Sequence, residues 1–191
     1  MNAMDPSQLR RISKRMSWLL RHGADDVGLA IDPEGYVAIT DVLRTLKGDH
    51  PGISRQVLAA VIHQVEPDKQ RFRIEGEWIR ANYGHSFDSK VKRTATEPPE
   101  TLLYGTSRRS LPEIFRTGLR PMERQFVHLT TDPALAAQIG ARHGRARILQ
   151  IAAGVAHRHQ VPFYRANSKF WLADAIPAVY LSVWAGQEGL A

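Results

Sequence analysis

The clearest candidate for phosphate chemistry is an arginine beside a histidine, Arg21-His22, at the end of an apolar helical pattern. Arginine offers a planar fork of N–H donors that matches a phosphate, and histidine can donate a second hydrogen bond or move a proton near neutral pH. Taken alone, the pair is more typical of a solvated helix face, with the histidine favoured by the helix dipole at the C-terminal end. Its interpretation therefore depends on the rest of the chain.

A second basic pattern, Asp68-Lys69-Gln70-Arg71-Phe72, leads into an alternating segment. Successive side chains of a β-strand point to opposite faces, so Arg71 and Arg73 would share one side while Phe72 and Ile74 are buried on the other. An ordinary solvated strand has the same alternation. This pattern by itself leaves both interpretations open.

Two further patterns could contact a ligand. Gly105-Thr106-Ser107 follows an apolar strand, and a glycine there lets backbone amides approach a ligand closely, although a simple turn has the same sequence. Arg124 lies four residues before His128 on a short apolar strand, where a histidine is more often part of the core than of a ligand site. No spacing of ligand residues is typical of a metal centre, so we expect no metal site.

The first half of the chain is predicted to contain helices followed by a β-hairpin. Asp5 and Pro6 are typical of a helix start, and Gln8 would complete a capping box. This first helix has an apolar stripe at Ile12, Met16, Leu19 and Leu20, and its opposite face carries the basic side chains Arg10, Lys14 and Arg21. Further helices are predicted at 40–46 and 55–64, and strands at 35–39, 71–74 and 78–80. Helices followed by a hairpin resemble a winged-helix module, which commonly binds nucleic acid.

The second half is predicted to be richer in strands. Short apolar segments at 102–104, 127–129, 147–151, 170–172 and 179–181 indicate strands, and helices are predicted at 111–117 and 133–143. This mixture predicts an α+β fold with a mostly antiparallel sheet. Residues 93–100, with two prolines and small polar side chains, are typical of a linker between domains at 1–92 and 101–191.

The composition favours an anionic partner. The net charge is +7 and the sequence pI is about 10.0, and nucleic acid is the usual partner of a basic domain. Cysteine is absent, which excludes disulfides and cysteine-based zinc sites. The chain has no apolar run near about 18 residues and no signal-like N-terminus, so we expect a cytoplasmic protein without a membrane partner.

The order of the patterns along the chain resembles the Tpt1/KptA family of RNA 2′-phosphotransferases. The matching stretches are ISKRMSWLLRH, GLAIDPEGYV, DKQRF, IRANYGHS, YGT, TGLRPMERQFVHLT and FWLADAIPAVY, from about Leu9 to Leu181. Each motif is weak alone, but co-linear agreement over nearly the whole chain is specific.

The resemblance implies a winged-helix-like N-terminal lobe that binds RNA and an ADP-ribosyltransferase-like C-terminal lobe that binds NAD. It implies an enzyme that removes the internal 2′-phosphate of RNA, as at a tRNA splice junction, by transferring it to NAD. The essential residues of the family map onto Arg21, His22, Arg71 and Arg124. In this scheme RNA also follows Arg10 and Lys14 on the basic helix face, and we expect a monomer that uses no metal.

The predicted NAD contacts lie in the C-terminal lobe. They are Tyr104, Gly105, Thr106, Ser107, His128 and Arg142. The family usually has histidine in place of Tyr104, and tyrosine can still donate a hydrogen bond. Two other departures are Tyr83, where glutamine is usual in IRANxGHS, and Phe170, where valine is usual before Trp171.

Two other classes of function compete with this one. An ADP-ribosyltransferase that modifies protein or nucleic acid would stop after transferring ADP-ribose, since a fold does not determine a function. A catalytic glutamate late in the sheet would favour it, and residues 170–180 contain none. A winged-helix protein that only binds nucleic acid would leave Arg124 and the C-terminal motifs unexplained.

Overall fold

The structure is a computed structural model of the chain and describes residues 5–65, 69–142 and 144–186. The chain divides into two compact units, Met1–Arg93 and Thr94–Ala191. Both units combine helices with antiparallel strands, so the predicted α+β class with a mostly antiparallel sheet is confirmed. None of the helices in the described ranges has the length and apolar character that a membrane crossing requires.

Three α-helices lie in the described part of the first unit. They are α1 (Pro6–Arg21), α2 (Ile39–Leu46) and α3 (Arg55–Gln64). The predicted stripe on α1 is confirmed, because Ile12, Met16, Leu19 and Leu20 are fully buried in the core that these helices share. Burying each such side chain is worth roughly 1.5–3 kcal/mol, which determines the face of α1 that turns inward.

The predicted starts of the helices in the first unit are confirmed in part. The predicted start of α3 at residue 55 is confirmed, and Ser54 caps the helix by accepting a hydrogen bond from the backbone N–H of Val57 at 3.3 Å. Asp5 occupies the N-cap position of α1, but its carboxylate accepts a hydrogen bond from the Ser7 hydroxyl and makes no side-chain cap. The predicted capping box is therefore wrong, because the nearer hydroxyl engages the carboxylate and the Gln8 N–H donates to the Asp5 backbone carbonyl at 2.9 Å.

A three-stranded antiparallel sheet completes the first unit. Its strands are β1 (Tyr36–Ala38), β2 (Phe72–Glu75) and β3 (Trp78–Ala81), in the order β1-β3-β2. The predicted hairpin is confirmed: Ile74 lies opposite Ile79, and Gly76 in the turn has a φ of +55°. The strand β2 begins at Phe72, which is buried. Arg71 therefore precedes the strand and does not belong to it.

The second unit contains a six-stranded sheet in which every registered pair is antiparallel. The strands are β4 (Thr101–Ser107), β5 (Val127–Thr130), β6 (Ala146–Ala152), β7 (Phe163–Arg165), β8 (Phe170–Ala173) and β9 (Leu181–Val183), in the order β7-β8-β5-β4-β6-β9. The helices are α4 (Leu111–Thr117), α5 (Pro133–Ala141) and α6 (Ala153–Arg158).

Three elements of the second unit differ from prediction. The strand predicted at 179–181 is wrong at its start, because a 3-10 turn, Ala178–Tyr180, precedes the strand and the Tyr180 N–H donates to the Pro177 carbonyl at 3.2 Å. Sequence patterns did not indicate α6 or β7, which are too short for their periodicity to stand out. The predicted end of α5 at His143 lies outside the described residues, as does Asp68 of the DKQRF motif.

Candidate active site

Arg21 and His22 lie together at the C-terminal end of α1. Helical spacing places Arg21 on the same face as Arg10 and Lys14, and those two side chains are exposed. Only 8% of Arg21 is exposed, however. The exposed part of the basic face therefore ends at Lys14, and Arg21 belongs to a packed environment.

The environment of Arg21 is formed by aromatic rings and by the Asn82–Ser86 segment, which follows β3. The guanidinium carbon lies 4.9 Å from the ring centre of Tyr83 and 6.0 Å from that of Phe72, distances at which a cation is attracted to an aromatic face. Gly84 has a φ of +90°, and a Cβ there would lie 3.4 Å from two side-chain atoms of Arg21. Glycine thus allows this close approach in a conformation that other residues rarely adopt.

The same segment orients His22. The Ser86 hydroxyl lies 2.6 Å from Nδ1 of His22, and the Ser86 backbone N–H donates to the Arg21 carbonyl at 2.9 Å. A hydrogen bond at one ring nitrogen fixes the orientation of an imidazole. Ser86 therefore orients the ring of His22.

Arg71 is held through backbone bonds on both sides of it. The Asn82 side-chain amide donates to the Gln70 carbonyl at 2.6 Å, and the Asn82 backbone N–H donates to the Arg71 carbonyl at 2.9 Å. The Tyr83 hydroxyl donates to the Lys69 carbonyl at 3.0 Å. These bonds hold a bend in which Gln70 has a φ of +40°, which is uncommon outside glycine.

Asn82 is the anchor of this arrangement. Asn82 is 6% exposed, and its backbone carbonyl accepts a hydrogen bond from the Arg93 guanidinium at 2.8 Å. Burial, followed by the charge of Arg80, lowers the pKa of Arg93 to about 10, so Arg93 remains charged at neutral pH. Sequence reasoning missed these positioning roles, because IRANYGHS marked the segment without indicating which side chains turn toward residues 69–71.

Four predicted NAD contacts lie on β4 of the second unit, and two of them are polar residues in buried positions. Thr106 is 6% exposed and Ser107 is 2% exposed. The Ser107 hydroxyl lies 3.0 Å from that of Ser110 in the turn that follows. Thr106 and Ser107 are thus packed inside the second unit. Their contact with NAD stays a prediction.

Gly105 is required by helix packing. A Cβ at this position would lie 1.9 Å from the Ala136 carbonyl oxygen on α5, which no rearrangement of a flexible side chain could relieve. The glycine therefore lets α5 lie directly on β4. This packing reason is independent of any contact between the Gly105 backbone and NAD.

The sheet opens between β4 and β5. Within the described residues their ladder has one registered pair, Leu103 with Thr130, whereas β4 pairs with β6 along all seven of its residues. The Arg108 N–H continues the β6 ladder by donating to the Arg145 carbonyl at 2.9 Å. Because hydrogen bonds alternate along an antiparallel strand, Gly105 directs its N–H and C=O toward β5, beyond the last registered pair.

Tyr104 has its side chain on the opposite face of β4 from Gly105. It is half-buried and packs against an apolar cluster that includes Leu102, Val127 and Leu129. Burial raises the pKa of Tyr104, so its hydroxyl is neutral and able to donate a hydrogen bond at neutral pH. Tyr104 therefore contributes to packing whether or not it contacts NAD.

The remaining candidates of the second unit surround its central strands. His128 is half-buried on β5, opposite Leu172, and so borders the β4–β5 opening. Arg124 is exposed just before β5, and Arg142 is exposed at the end of α5. The other three members of the predicted catalytic set belong to the first unit.

Proteins similar to this chain match it over nearly its whole length. The family model described as RNA 2′-phosphotransferase, Tpt1/KptA family, matches residues 7–175. The chain is 37% identical over 178 residues to a probable RNA 2′-phosphotransferase of Nostoc punctiforme, covering 93% of this chain and 98% of that protein. Identity is 39% over 182 residues to a probable RNA 2′-phosphotransferase of Herpetosiphon aurantiacus, with 94% and 99% covered.

A third relative has a similar level of identity. A probable RNA 2′-phosphotransferase of Lacticaseibacillus paracasei is 40% identical over 180 residues, which cover 93% of this chain and 95% of the relative. Both the family model and the relatives span the two units. The chain belongs to the Tpt1/KptA family of RNA 2′-phosphotransferases.

Proposed function

We propose that this protein removes the internal 2′-phosphate of RNA, of the kind left at a tRNA splice junction, by transferring it to NAD. The observation that carries the proposal is the grouping of Arg21, His22 and Arg71 around the Asn82–Ser86 segment. Two cations that keep their charge and one titratable ring are the groups that phosphate transfer needs. Membership of the family indicates that the substrate is RNA.

In the first step a 2′-phosphate oxygen attacks the anomeric carbon of the nicotinamide ribose. The glycosidic C–N bond breaks, and nicotinamide leaves with the electron pair as a neutral pyridine. This step depends mainly on alignment of the phosphate and NAD. Its product is an RNA whose 2′-phosphate carries ADP-ribose.

In the second step the 2″-hydroxyl of the same ribose attacks phosphorus. The bond from phosphorus to the RNA 2′-oxygen breaks, the attacking hydroxyl loses its proton and the RNA oxygen gains one. The products are RNA with a 2′-hydroxyl and ADP-ribose 1″,2″-cyclic phosphate. Negative charge accumulates around phosphorus, and losing one fixed donor aimed at such charge typically costs about 100- to 1,000-fold in rate.

We assign Arg21, Arg71 and Arg124 to the phosphate and His22 to proton transfer in the second step. The Ser86 hydroxyl at Nδ1 orients the His22 ring for that transfer. Arg71 and Arg21 gain fixed positions from the backbone bonds and ring contact described above. Fixed guanidinium groups stabilise developing charge without a reorganisation cost at the moment of reaction.

NAD is proposed to bind the second unit, as an ADP-ribosyltransferase-like lobe, at the β4–β5 opening. The donor set there fits a carboxamide, because Gly105 turns both an N–H and a C=O toward β5 and a carboxamide needs one acceptor and one donor. Tyr104, Thr106, Ser107, His128 and Arg142 are the further candidate contacts.

RNA is proposed to bind the first unit, as a winged-helix-like lobe. Arg10 and Lys14 are exposed on α1 and would contact backbone phosphates. Neutralising both should weaken RNA binding and reduce its salt dependence by about 0.7 per lost contact on single strands, with no change in NAD affinity. An unchanged salt slope would place the RNA elsewhere.

The decisive experiment is incubation with a 2′-phosphorylated RNA oligonucleotide and NAD. We expect nicotinamide and ADP-ribose 1″,2″-cyclic phosphate in equal amounts, and neither product when NAD or the 2′-phosphate is omitted. Nicotinamide release that leaves ADP-ribose on RNA or protein would contradict the proposal and favour an ADP-ribosyltransferase. RNA binding without nicotinamide release would favour a protein that only binds nucleic acid.

A further inference from the structure

Arginines gather around the end of β4 and the start of β6 in the second unit. A cavity of about 430 Å³ lies there, lined by Ser107, Arg108, Arg109, Gly144 and Arg145. Arg147, which pairs with Thr106 in the β4–β6 ladder, adds a further guanidinium at the start of β6. We call this space the arginine cavity, after its lining residues Arg108, Arg109 and Arg145.

Two of these arginines are linked by a backbone hydrogen bond. The Arg108 N–H donates to the Arg145 carbonyl at 2.9 Å, just beyond the last registered pair of the β4–β6 ladder, Ser107 with Ala146. Both side chains are exposed and carry like charges, which repel each other. A bound anion would reduce this repulsion.

Acidic neighbours do not neutralise the cavity. Among the described residues no ion pair involves Arg108, Arg109 or Arg145, and all three are exposed. Other exposed arginines of this unit do have carboxylate partners, since Arg116 pairs with Glu113 at 2.6 Å and Arg158 pairs with Glu100 at 3.1 Å. The cavity therefore keeps its positive charge for an external partner.

We propose that the arginine cavity binds backbone phosphates of the RNA substrate, which gives the second unit an RNA contact of its own. The assignment rests on the proposed function for the identity of the polyanion. RNA carries one charge on every nucleotide, which suits several exposed guanidinium groups around one open cavity better than the two adjoining phosphates of NAD do. Guanidinium groups bind phosphate in a bidentate manner and also stack on unpaired bases.

The test compares two matched double variants. Arg108→Gln with Arg145→Gln removes two charges from the cavity, and Arg116→Gln with Arg158→Gln removes two charges that already have partners. Binding of an unphosphorylated single-stranded RNA is measured over a series of salt concentrations without NAD. The cavity variant should bind more weakly, with a slope of log K against log salt that is less steep by about 1.4 for two lost contacts, while the control keeps the wild-type slope.

Stability and kinetics provide independent readouts. Loss of the like-charge pair should leave the melting temperature of the cavity variant unchanged or raise it, so weaker binding could not be attributed to unfolding. In turnover, its KM for a long 2′-phosphorylated RNA should rise while its KM for NAD and its kcat on a minimal 2′-phosphorylated dinucleotide stay constant.

Two results would overturn the assignment. An equal slope in the cavity variant and the wild type would show that RNA does not reach these arginines, and a raised KM for NAD with intact RNA binding would assign the cavity to the phosphates of NAD. A failure of the proposed function is distinguishable from both, because it would abolish nicotinamide release while the binding measurement, made without NAD or a 2′-phosphate, still decides whether RNA binds here.

Discussion

Tyr83 contacts both Arg21 and the bend before Arg71, so substitutions at Tyr83 can separate the contribution of its ring from that of its hydroxyl. Its ring lies 4.9 Å from the Arg21 guanidinium, and its hydroxyl donates to the Lys69 carbonyl at 3.0 Å, beside Arg71. Tyr83→Phe removes the hydroxyl and keeps the ring, whereas Tyr83→Leu removes both. The first change should disturb the bend before Arg71, and the second should also release Arg21.

The expected magnitudes follow from burial. One intramolecular hydrogen bond is worth about 0.5–1.5 kcal/mol, so Tyr83→Phe should reduce kcat by about 2- to 12-fold if the whole loss reaches the transition state. Arg21 is 8% exposed, and a desolvated cation–aromatic contact is worth about 2 kcal/mol. Tyr83→Leu should therefore reduce kcat by about a further 30-fold.

A matched control exists at Tyr36 in the same unit. Its ring lies 4.5 Å from the Arg80 guanidinium, and its hydroxyl donates to Glu75 at 2.5 Å, yet neither partner belongs to the predicted catalytic set. Tyr36→Phe and Tyr36→Leu should change the melting temperature without a comparable loss of kcat.

Single-turnover phosphate transfer and thermal unfolding, measured on all four variants, decide the question. Equal rates for Tyr83→Phe and Tyr83→Leu would refute the role of the ring. A loss of rate at Tyr36 as large as that at Tyr83 would show that both act through general stability.

Three other substitutions test the remaining parts of the site. Gly105→Ala should prevent stable folding of the second unit, because its Cβ would lie 1.9 Å from the Ala136 carbonyl oxygen; an unchanged melting temperature would contradict the packing of α5. Ser86→Ala should slow the second step by about 2- to 12-fold through the lost bond to His22, and an unchanged rate of that step would contradict the role of Ser86. Tyr104→Phe should raise the KM for NAD by the same factor if its hydroxyl contacts NAD, and a normal KM with a normal melting temperature would limit Tyr104 to packing.

Elements with a strong local period could be predicted from the sequence. The stripe on α1 repeats at helical spacing over several turns, and each of its apolar side chains is buried. The hairpin of β2 and β3 has alternating side chains and a glycine turn, and its register follows. The 3-10 turn at Ala178–Tyr180 and the short helix α6 could not be predicted in this way, because each spans too few residues for a period to develop.

The order of the amino acids is enough to specify the reactive groups, the order of the motifs and the faces of the longer helices and strands. Other features arise only on folding: Arg21 is buried against Tyr83, Ser86 meets His22 from 64 positions away in the chain, and Gly105 lies beneath α5. Periodicity arises from bonds between near neighbours in the chain. Burial and orientation of a side chain depend on which distant segment packs over it, and no local pattern encodes that partner.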